Sequence, residues 1–194
     1  MVTSSLIRLG EVAEVYAGIP GFGDEGEYSY QVLLPNSFTD TGEISFVEIQ
    51  NKHEEISRQQ MLRQDDILVK RLNPSFVHIV SDKTAGMVAS QNLLVVRPLK
   101  AVYPFYLGYL LEQKEIIGQI LQVTGSAAPI KAISIKKLAD TMIPIVPREK
   151  QIKIGGLWRL SRQRKQLLQE YIDENDKLVS ALTSHIIGNG GLRK

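Results

Sequence analysis

An apolar pattern with alternating three- and four-residue spacing runs through the C-terminal part of the sequence, from Ile154 to His185. This spacing is typical of a helix that packs lengthwise against another helix along a heptad seam. The seam positions are Ile154, Leu157, Ser161, Arg164, Leu168, Tyr171, Asn175, Leu178, Leu182 and His185. Apolar residues also flank the seam on both sides, so the stripe is wide enough to pack against more than one neighbour.

The predicted helix determines how the rest of the chain is organised. At 1.5 Å per residue, about 33 residues span roughly 50 Å, which is too long to lie across a small domain. Pro147 ends the pattern that precedes the helix, and "GNGG" at residues 188–191 is predicted to end the helix itself. We therefore divide the chain into a domain at residues 1–147 and a long helix for spacing and dimerisation at residues 148–194.

The first 147 residues are mostly short apolar runs rich in β-branched and aromatic residues, which is typical of strands. The predicted strands are 28–34, 44–49, 66–71, 76–80 and 92–98. Pro104 suits a first helical turn, and the spacing after it predicts one helix as far as residue 122. Ser134 is the predicted N-cap of a short second helix. The predicted fold class is α+β, a strand-rich domain followed by one long coiled-coil-type helix.

Composition excludes several kinds of site. The chain of 194 residues has no cysteine, which rules out disulfides and thiolate ligands, and its three histidines lack metal-ligand spacing. No apolar stretch is long enough for a signal peptide or a membrane span. We expect a cytoplasmic protein that does not contact a membrane.

Three short segments resemble enzyme motifs, but each lacks the neighbouring residues or elements that its motif requires. "GFGDEG" (Gly21–Gly26) has the spacing of a dinucleotide loop, but a predicted strand follows it, which favours a flexible loop. "NPSF" at residues 73–76 resembles an amino-methyltransferase motif that lacks its second proline, and it favours a turn. Glu112 and Lys114 resemble a nuclease fragment without partner acids and are assigned to a solvated helix face. We predict no catalytic residue, no metal and no cofactor.

Charge is distributed unevenly along the chain. Residues 1–66 carry 4 basic and 12 acidic side chains, residues 67–147 carry 9 and 4, and residues 148–194 carry 10 and 5. Such asymmetry suits a polyanionic partner that binds one face, although scattered solvated charge would give the same counts.

Basic and polar side chains in the predicted loops are candidates for contact with double-stranded DNA. Lys and Arg bind phosphates, and Arg, Asn and Ser on loops can reach base edges. The candidates are Lys70, Arg71, Asn73, Ser75, Ser126, Lys131, Lys136 and Lys137. An ordinary charged surface is the alternative interpretation.

Several segments share their order and spacing with one known family. They are "RLGEVAEVYAG", "LRQDDILVKR", "VASQNLLVVRP", "YPFYLGYLL", "VTGSAAPIKAIS" and "IPIVPREKQIKI". The last two are the most specific, through Gly125, Ser126, Ile133, Ser134, Ile143, Pro144, Ile145, Pro147, Gln151 and Ile154. Together they resemble the specificity subunit of Type I restriction–modification enzymes, over most of the chain.

Some positions depart from that family's pattern. Val146 replaces a proline, Lys150 replaces a glutamate, and Asp65 replaces a glycine. Gly155 and Gly156 stand where a better helix former is expected, at a cost of roughly 1 kcal/mol each. They indicate either a kink or a close helix contact.

The resemblance implies a target recognition domain that reads one half of a bipartite DNA site. It implies that the helix is a spacer that docks methyltransferase subunits, with a restriction subunit as a further partner in a restriction complex. A full subunit of the family carries two such domains and two antiparallel helices. This chain carries one of each and so resembles a half-subunit.

Charge along the helix predicts an antiparallel homodimer. Residues 148–165 carry seven basic groups and one acid, whereas residues 166–187 carry four acids and one base. Antiparallel pairing sets these halves against each other. It places Leu168 opposite Tyr171, Arg164 opposite Asn175, and Leu157 opposite Leu182. The predicted dimerisation residues are Ile154, Leu157, Arg164, Leu168, Tyr171, Asn175, Leu178 and Leu182.

Two other functions fit the same sequence. A coiled-coil adaptor whose head binds protein is favoured by the net charge of −3 on residues 1–147. An enzyme that uses the Gly21–Gly26 loop is the other. DNA binding weakens as salt rises, which separates a DNA reader from an adaptor, and nucleotide or adenosylmethionine binding would support the enzyme.

Overall fold

A helix of 43 residues, α4 (Arg148–Gly190), is the longest element of the protein. The computed structural model describes residues 5–20, 28–38, 44–51, 56–72, 74, 77–121 and 132–190. At 1.5 Å per residue α4 is about 65 Å long. It begins directly after Pro147 and ends at Gly190, within the "GNGG" segment that was predicted to end it.

In the described part of the chain, three sheets are formed by nine strands. The strands are β1 (Ser5–Arg8), β2 (Ala13–Ala17), β3 (Tyr28–Leu33), β4 (Val47–Asn51), β5 (Ile67–Lys70), β6 (Val77–Ile79), β7 (Val88–Ala89), β8 (Leu93–Pro98) and β9 (Met142–Ile145). The central sheet has the order β2-β8-β5-β6 and is antiparallel throughout. A smaller sheet has the order β4-β3-β7, and β1 pairs with β9. All five strands predicted from the sequence are present, with ends shifted by at most three residues.

Three shorter helices precede α4: α1 (Pro104–Leu111), α2 (Lys114–Leu121) and α3 (Ile135–Ala139). Pro104 begins α1 as predicted, but the single helix predicted from it is divided into two. The division falls at Glu112 and Gln113. The backbone N–H of Glu112 donates hydrogen bonds to the carbonyls of Leu110 and Tyr109. Ser134 caps α3 as predicted, because its side chain accepts a hydrogen bond from the Lys137 N–H at 3.2 Å.

The central sheet is buried on both faces. Side chains alternate along a strand, so neighbouring residues face opposite sides of the sheet. Ile67 and Val69 of β5 join a cluster with Leu107 of α1, whereas Leu68 joins a second cluster with Leu33 of β3. The helices therefore cover one face and the smaller sheet covers the other, which gives the head, residues 1–147, its rigid centre.

A buried ion pair holds the turn that leads into β5. The Nε of Arg97 donates to Oδ1 of Asp66 at 2.9 Å, and Nη2 of Arg97 donates to Oδ2 at 2.7 Å. The guanidinium also donates to the carbonyls of Gln59 and Met61, so its charge is well solvated by the protein. Asp65 has φ of +71° in the same turn, which explains the glycine that the family pattern has there.

The base of α4 is tied to α1 by a buried glutamine and a glycine. Gln151 accepts a hydrogen bond from the Tyr103 N–H and donates one to the Val146 carbonyl, each at 2.8 Å. A Cβ at Gly155 would lie only 2.6 Å from the backbone nitrogen of Tyr106. A Cβ at Gly156 would meet nothing within 4 Å. Close helix contact is therefore the explanation for Gly155, and Gly156 has no such contact.

Alanine at these two glycines should have opposite effects on stability. Gly156→Ala should raise the free energy of unfolding by up to about 1 kcal/mol, because alanine is the better helix former. Gly155→Ala should lower it by about 1–3 kcal/mol, because the new methyl group displaces the α1 backbone. Urea denaturation of both variants measures the difference, and equal effects of the same sign would contradict the close contact at Gly155.

Candidate functional site

Several loops leave the central sheet at the same end, which we call the loop end. Lys70, the last residue of β5, pairs with Leu93, the first residue of β8. The Gly18 N–H, just after β2, donates to the Leu93 carbonyl at 3.0 Å. The Ile133 N–H donates to the Arg71 carbonyl at 2.8 Å, so the chain also returns to this end before α3. Antiparallel pairing thus gathers segments that are far apart in sequence.

Four of the basic candidates lie at the loop end or on the helix beside it. Lys70 is half-buried with its ammonium 5.3 Å from the centre of the Phe38 ring. Arg71 is half-buried, and its Nε donates to the Ile133 carbonyl at 3.3 Å. Lys136 is exposed and Lys137 half-buried on α3. The other candidates, Asn73, Ser75, Ser126 and Lys131, lie outside the described residues, as does the Gly21–Gly26 loop.

The apolar stripe of α4 is exposed. Its large apolar members are between 52 and 72% exposed, namely Leu157, Leu168, Tyr171, Leu178 and Leu182. Arg164 and Asn175 are exposed between them. Ile154 differs, because it is half-buried and packs against the core of the head.

The stripe faces away from the head. Successive residues of an α-helix are about 100° apart, which places the stripe roughly 140° around the axis from the residues that face the head. Those residues are Gln151, Gly155, Trp158 and Arg162. The stripe therefore does not pack back onto its own head in the described part of the chain.

One carboxylate joins the head to α4. Oε1 of Glu112 accepts hydrogen bonds from the Val77 N–H at 3.0 Å and from Nη1 of Arg162 at 2.5 Å. Oε2 accepts from Nε1 of Trp158 at 2.9 Å, and the Arg162 guanidinium lies over the Trp158 ring. The side chain of Glu112 is only 18% exposed. The prediction of a solvated helix face at Glu112 is therefore wrong.

Sequence reasoning missed this junction because its residues are remote in sequence. The available signal was on α4, where Trp158 and Arg162 are one turn apart and share the side that carries Gly155. Nothing in the spacing of "EQKE" indicates that Glu112 points inward. Its burial follows from the division between α1 and α2, which was not predicted.

A cleft of about 560 Å³ lies between the head and α4. Its lining includes His78, Phe105, Trp158 and Arg159. His78 stacks on Phe38 with ring centres 5.2 Å apart, and its Nε2 has no hydrogen-bond partner among the described residues. Burial, and secondly the charge of Arg162, lowers the pKa of His78 to about 4. His78 is therefore neutral at pH 7.

In the ranges that the structure describes, no group of three His, Cys, Asp or Glu side chains could hold a metal ion. No helix within the same ranges combines the length and the apolar character needed to cross a bilayer.

The head and α4 together superpose on about half of several solved proteins. The structural neighbours are specificity subunits of Type I restriction–modification systems, and the resemblance predicted from the sequence is confirmed at the level of the fold. No family model matches the sequence, and no curated protein matches it.

Three of these neighbours illustrate the match. The HsdS subunit from Thermoanaerobacter tengcongensis superposes with a TM-score of 0.65 at 20% identity, over 92% of this chain and 47% of that one. A chain from a study of complex assembly and conformational transition in the type I R-M system gives 0.66 at 17% identity, over 96% and 50%. The S subunit from M. genitalium gives 0.60 at 18% identity, over 91% and 44%. The chain thus spans about half the length of these neighbours.

Stability should depend on pH through His78. An unfolded histidine binds a proton near pH 6.5, whereas folded His78 does so only near pH 4, so protons favour the unfolded state between these values. Lowering the pH from 7 to 5 should cost about 2 kcal/mol of unfolding free energy. His78→Phe should remove most of this loss in urea titrations at pH 7 and pH 5. The exposed control, His185→Gln, should retain it.

Proposed function

We propose that the chain is a DNA-binding specificity half-subunit of a Type I restriction–modification system. The observation that carries the proposal is the fold, which matches specificity subunits over 91 to 96% of this chain but only 44 to 50% of theirs. One head and one helix then correspond to half of a protein with two of each. The head reads one half of a bipartite DNA site, and the helix sets the distance to the other half.

The loop end of the central sheet is the proposed DNA-contacting surface. Lys70 and Arg71 end β5 there, and α3 with Lys136 and Lys137 begins beside it. Their positive charges attract phosphates, which positions the duplex without reading its sequence. The side chains that contact base edges are proposed to come from Asn73, Ser75, Ser126 and Lys131, which lie outside the described residues.

The exposed stripe of α4 is the proposed dimer interface. An apolar face of this length is costly to leave in water, and a second copy can cover it. Antiparallel pairing sets the basic half of one helix, residues 148–165, against the acidic half of the other, residues 166–187. The two heads then lie at opposite ends and read inverted half-sites, so the recognised sequence is a gapped palindrome.

The assembled helices offer the docking surface for methyltransferase subunits and, in a restriction complex, for the restriction subunit. The chain itself is proposed to have no catalytic activity. Purified protein should therefore not transfer a methyl group from adenosylmethionine to DNA, and transfer by the chain alone would refute this part of the proposal.

A protein-binding adaptor is the second candidate. The exposed α4 stripe fits a protein partner as well as it fits a DNA reader. The net negative charge of the head favours a protein partner. The two functions differ in their response to salt, since phosphate contacts release counterions and protein contacts of an apolar stripe do not. Duplex binding that is absent at low salt would favour the adaptor.

Charge reversal at the loop end should weaken DNA binding. We expect Lys70→Glu/Arg71→Glu and Lys136→Glu/Lys137→Glu each to weaken binding to mixed-sequence duplex. Each lost phosphate contact should lower the slope of log affinity against log salt by about one. Fluorescence anisotropy at three salt concentrations measures both quantities.

The matched control reverses two charges at the opposite end of the sheet. Arg63 is exposed in the turn before β5 and Lys100 is exposed after β8, so Arg63→Glu/Lys100→Glu makes the same change in net charge. It should lower affinity much less than either test pair. If the control and the test pairs weaken binding equally, the DNA-contacting surface has been misplaced.

Charges placed in the α4 stripe should separate the dimer. Leu168→Glu and Leu178→Glu should give monomers by light scattering, and these monomers should bind DNA weakly. Ser180→Glu is the control, since Ser180 is exposed about 160° around the helix from Leu182 and should leave the dimer intact. A wild-type monomer at micromolar concentration, or spin labels near Ile154 of the two copies lying close together, would contradict the antiparallel dimer.

A further inference from the structure

We propose that Glu112 is a positioning residue whose carboxylate sets the angle between the head and α4. Through that angle it selects the gap between the two half-sites. The inference rests on the proposed function, because only a paired reader has a gap to select. It adds a residue outside the DNA surface that determines which sites are recognised.

The carboxylate of Glu112 connects three elements. Glu112 itself caps α1, its Oε1 accepts the Val77 N–H at the start of β6, and both oxygens accept donors from α4. Charged hydrogen bonds of this kind are strong where water is partly excluded. Glu112 and Arg162 are 18% and 26% exposed, so water competes little for either partner.

Two separated contacts are needed to fix the direction of a helix. Gln151 and Gly155 hold the base of α4 against α1, and this contact alone would act as a pivot. Arg162 lies seven residues beyond Gly155, roughly 10 Å further along the axis. The contact between Glu112 and Arg162 therefore prevents α4 from tilting about its base.

A small tilt is enough to change the gap. A domain of about 145 residues has a radius of gyration near 15 Å, so its loops lie about 20 Å from the pivot. Tilting the head by about 10° moves such a loop by roughly 3.5 Å, which is about one base-pair rise along DNA. The two heads of a dimer would each contribute such a displacement.

The first experiment measures the angle without DNA. The chain has no cysteine, so Arg58→Cys and Ser180→Cys place one spin label on the head and one on α4, both at exposed positions. Doubly labelled chains are diluted with excess unlabelled chain, so that distances within one copy are measured. For a tilt of about 10° over the roughly 38 Å from Gly155 to Ser180, the label on α4 moves by about 6.5 Å.

Glu112→Gln and Arg162→Gln should both widen the distance distribution by such an amount. Arg162→Gln is included because it leaves the hydrogen bonds of Glu112 to Val77 and Trp158 in place, which protects the fold. The matched control is Glu149→Gln, which makes the same chemical change in an exposed pair with Lys153. The control should give the wild-type distribution.

The second experiment measures the gap. Each protein selects duplexes from a random library, and the enriched sequences are sorted by half-site and by gap length. Wild type and Glu149→Gln should enrich inverted half-sites with a single gap. Glu112→Gln and Arg162→Gln should enrich the same half-sites with roughly three adjacent gap lengths. A loss of general stability alone would lower affinity without widening the set of gaps.

The two experiments separate failure of this inference from failure of the proposed function. Wild-type distance and gap distributions in both variants would overturn the role of Glu112 while leaving the DNA reader intact. If wild type enriches no gapped pair, the proposed function fails and the selection of the gap fails with it. Widened distances together with a widened set of gaps at unchanged half-sites support the inference.

Discussion

The approach of α4 to α1 at Gly155 is the contact on which the arrangement of the molecule depends. No side chain separates the two helices there, so the base of α4 lies directly on the α1 backbone. This proximity brings Gln151 to the start of α1 and carries Trp158 and Arg162 to Glu112 at its end. The helix α4 is thus bound at both the start and the end of α1, and it leaves the head in a defined direction.

The same helix presents two faces with different partners. One face packs against the head through Gln151, Gly155 and Trp158, and the other face carries the exposed apolar stripe. A helix of about 65 Å is much longer than its contact with the head requires. The two faces allow the proposed dimer to form without disturbing the head.

Local patterns in the sequence predicted the elements of the fold, but contacts between remote segments did not follow from them. The five strongest strands, the start of α1 at Pro104 and the cap at Ser134 depend on neighbouring residues, and all are present. The inward turn of Glu112 depends on Trp158 and Arg162, about fifty residues away, and was missed. The strands β1 and β2 are stabilised by pairing with remote strands, β9 and β8, so their sequences alone gave little signal. The gathering of loops at one end of the sheet likewise follows from pairing.

The ion pair between Asp66 and Arg97 lies at the end of β5 that is opposite to Lys70 and Arg71. Its hydrogen bonds and the two buried faces of the sheet hold the strands away from the loop end. These contacts do not depend on the side chains at the loop end. Under the proposed function, such a protein can acquire a new sequence preference by mutation at the loop end without first losing the ability to fold.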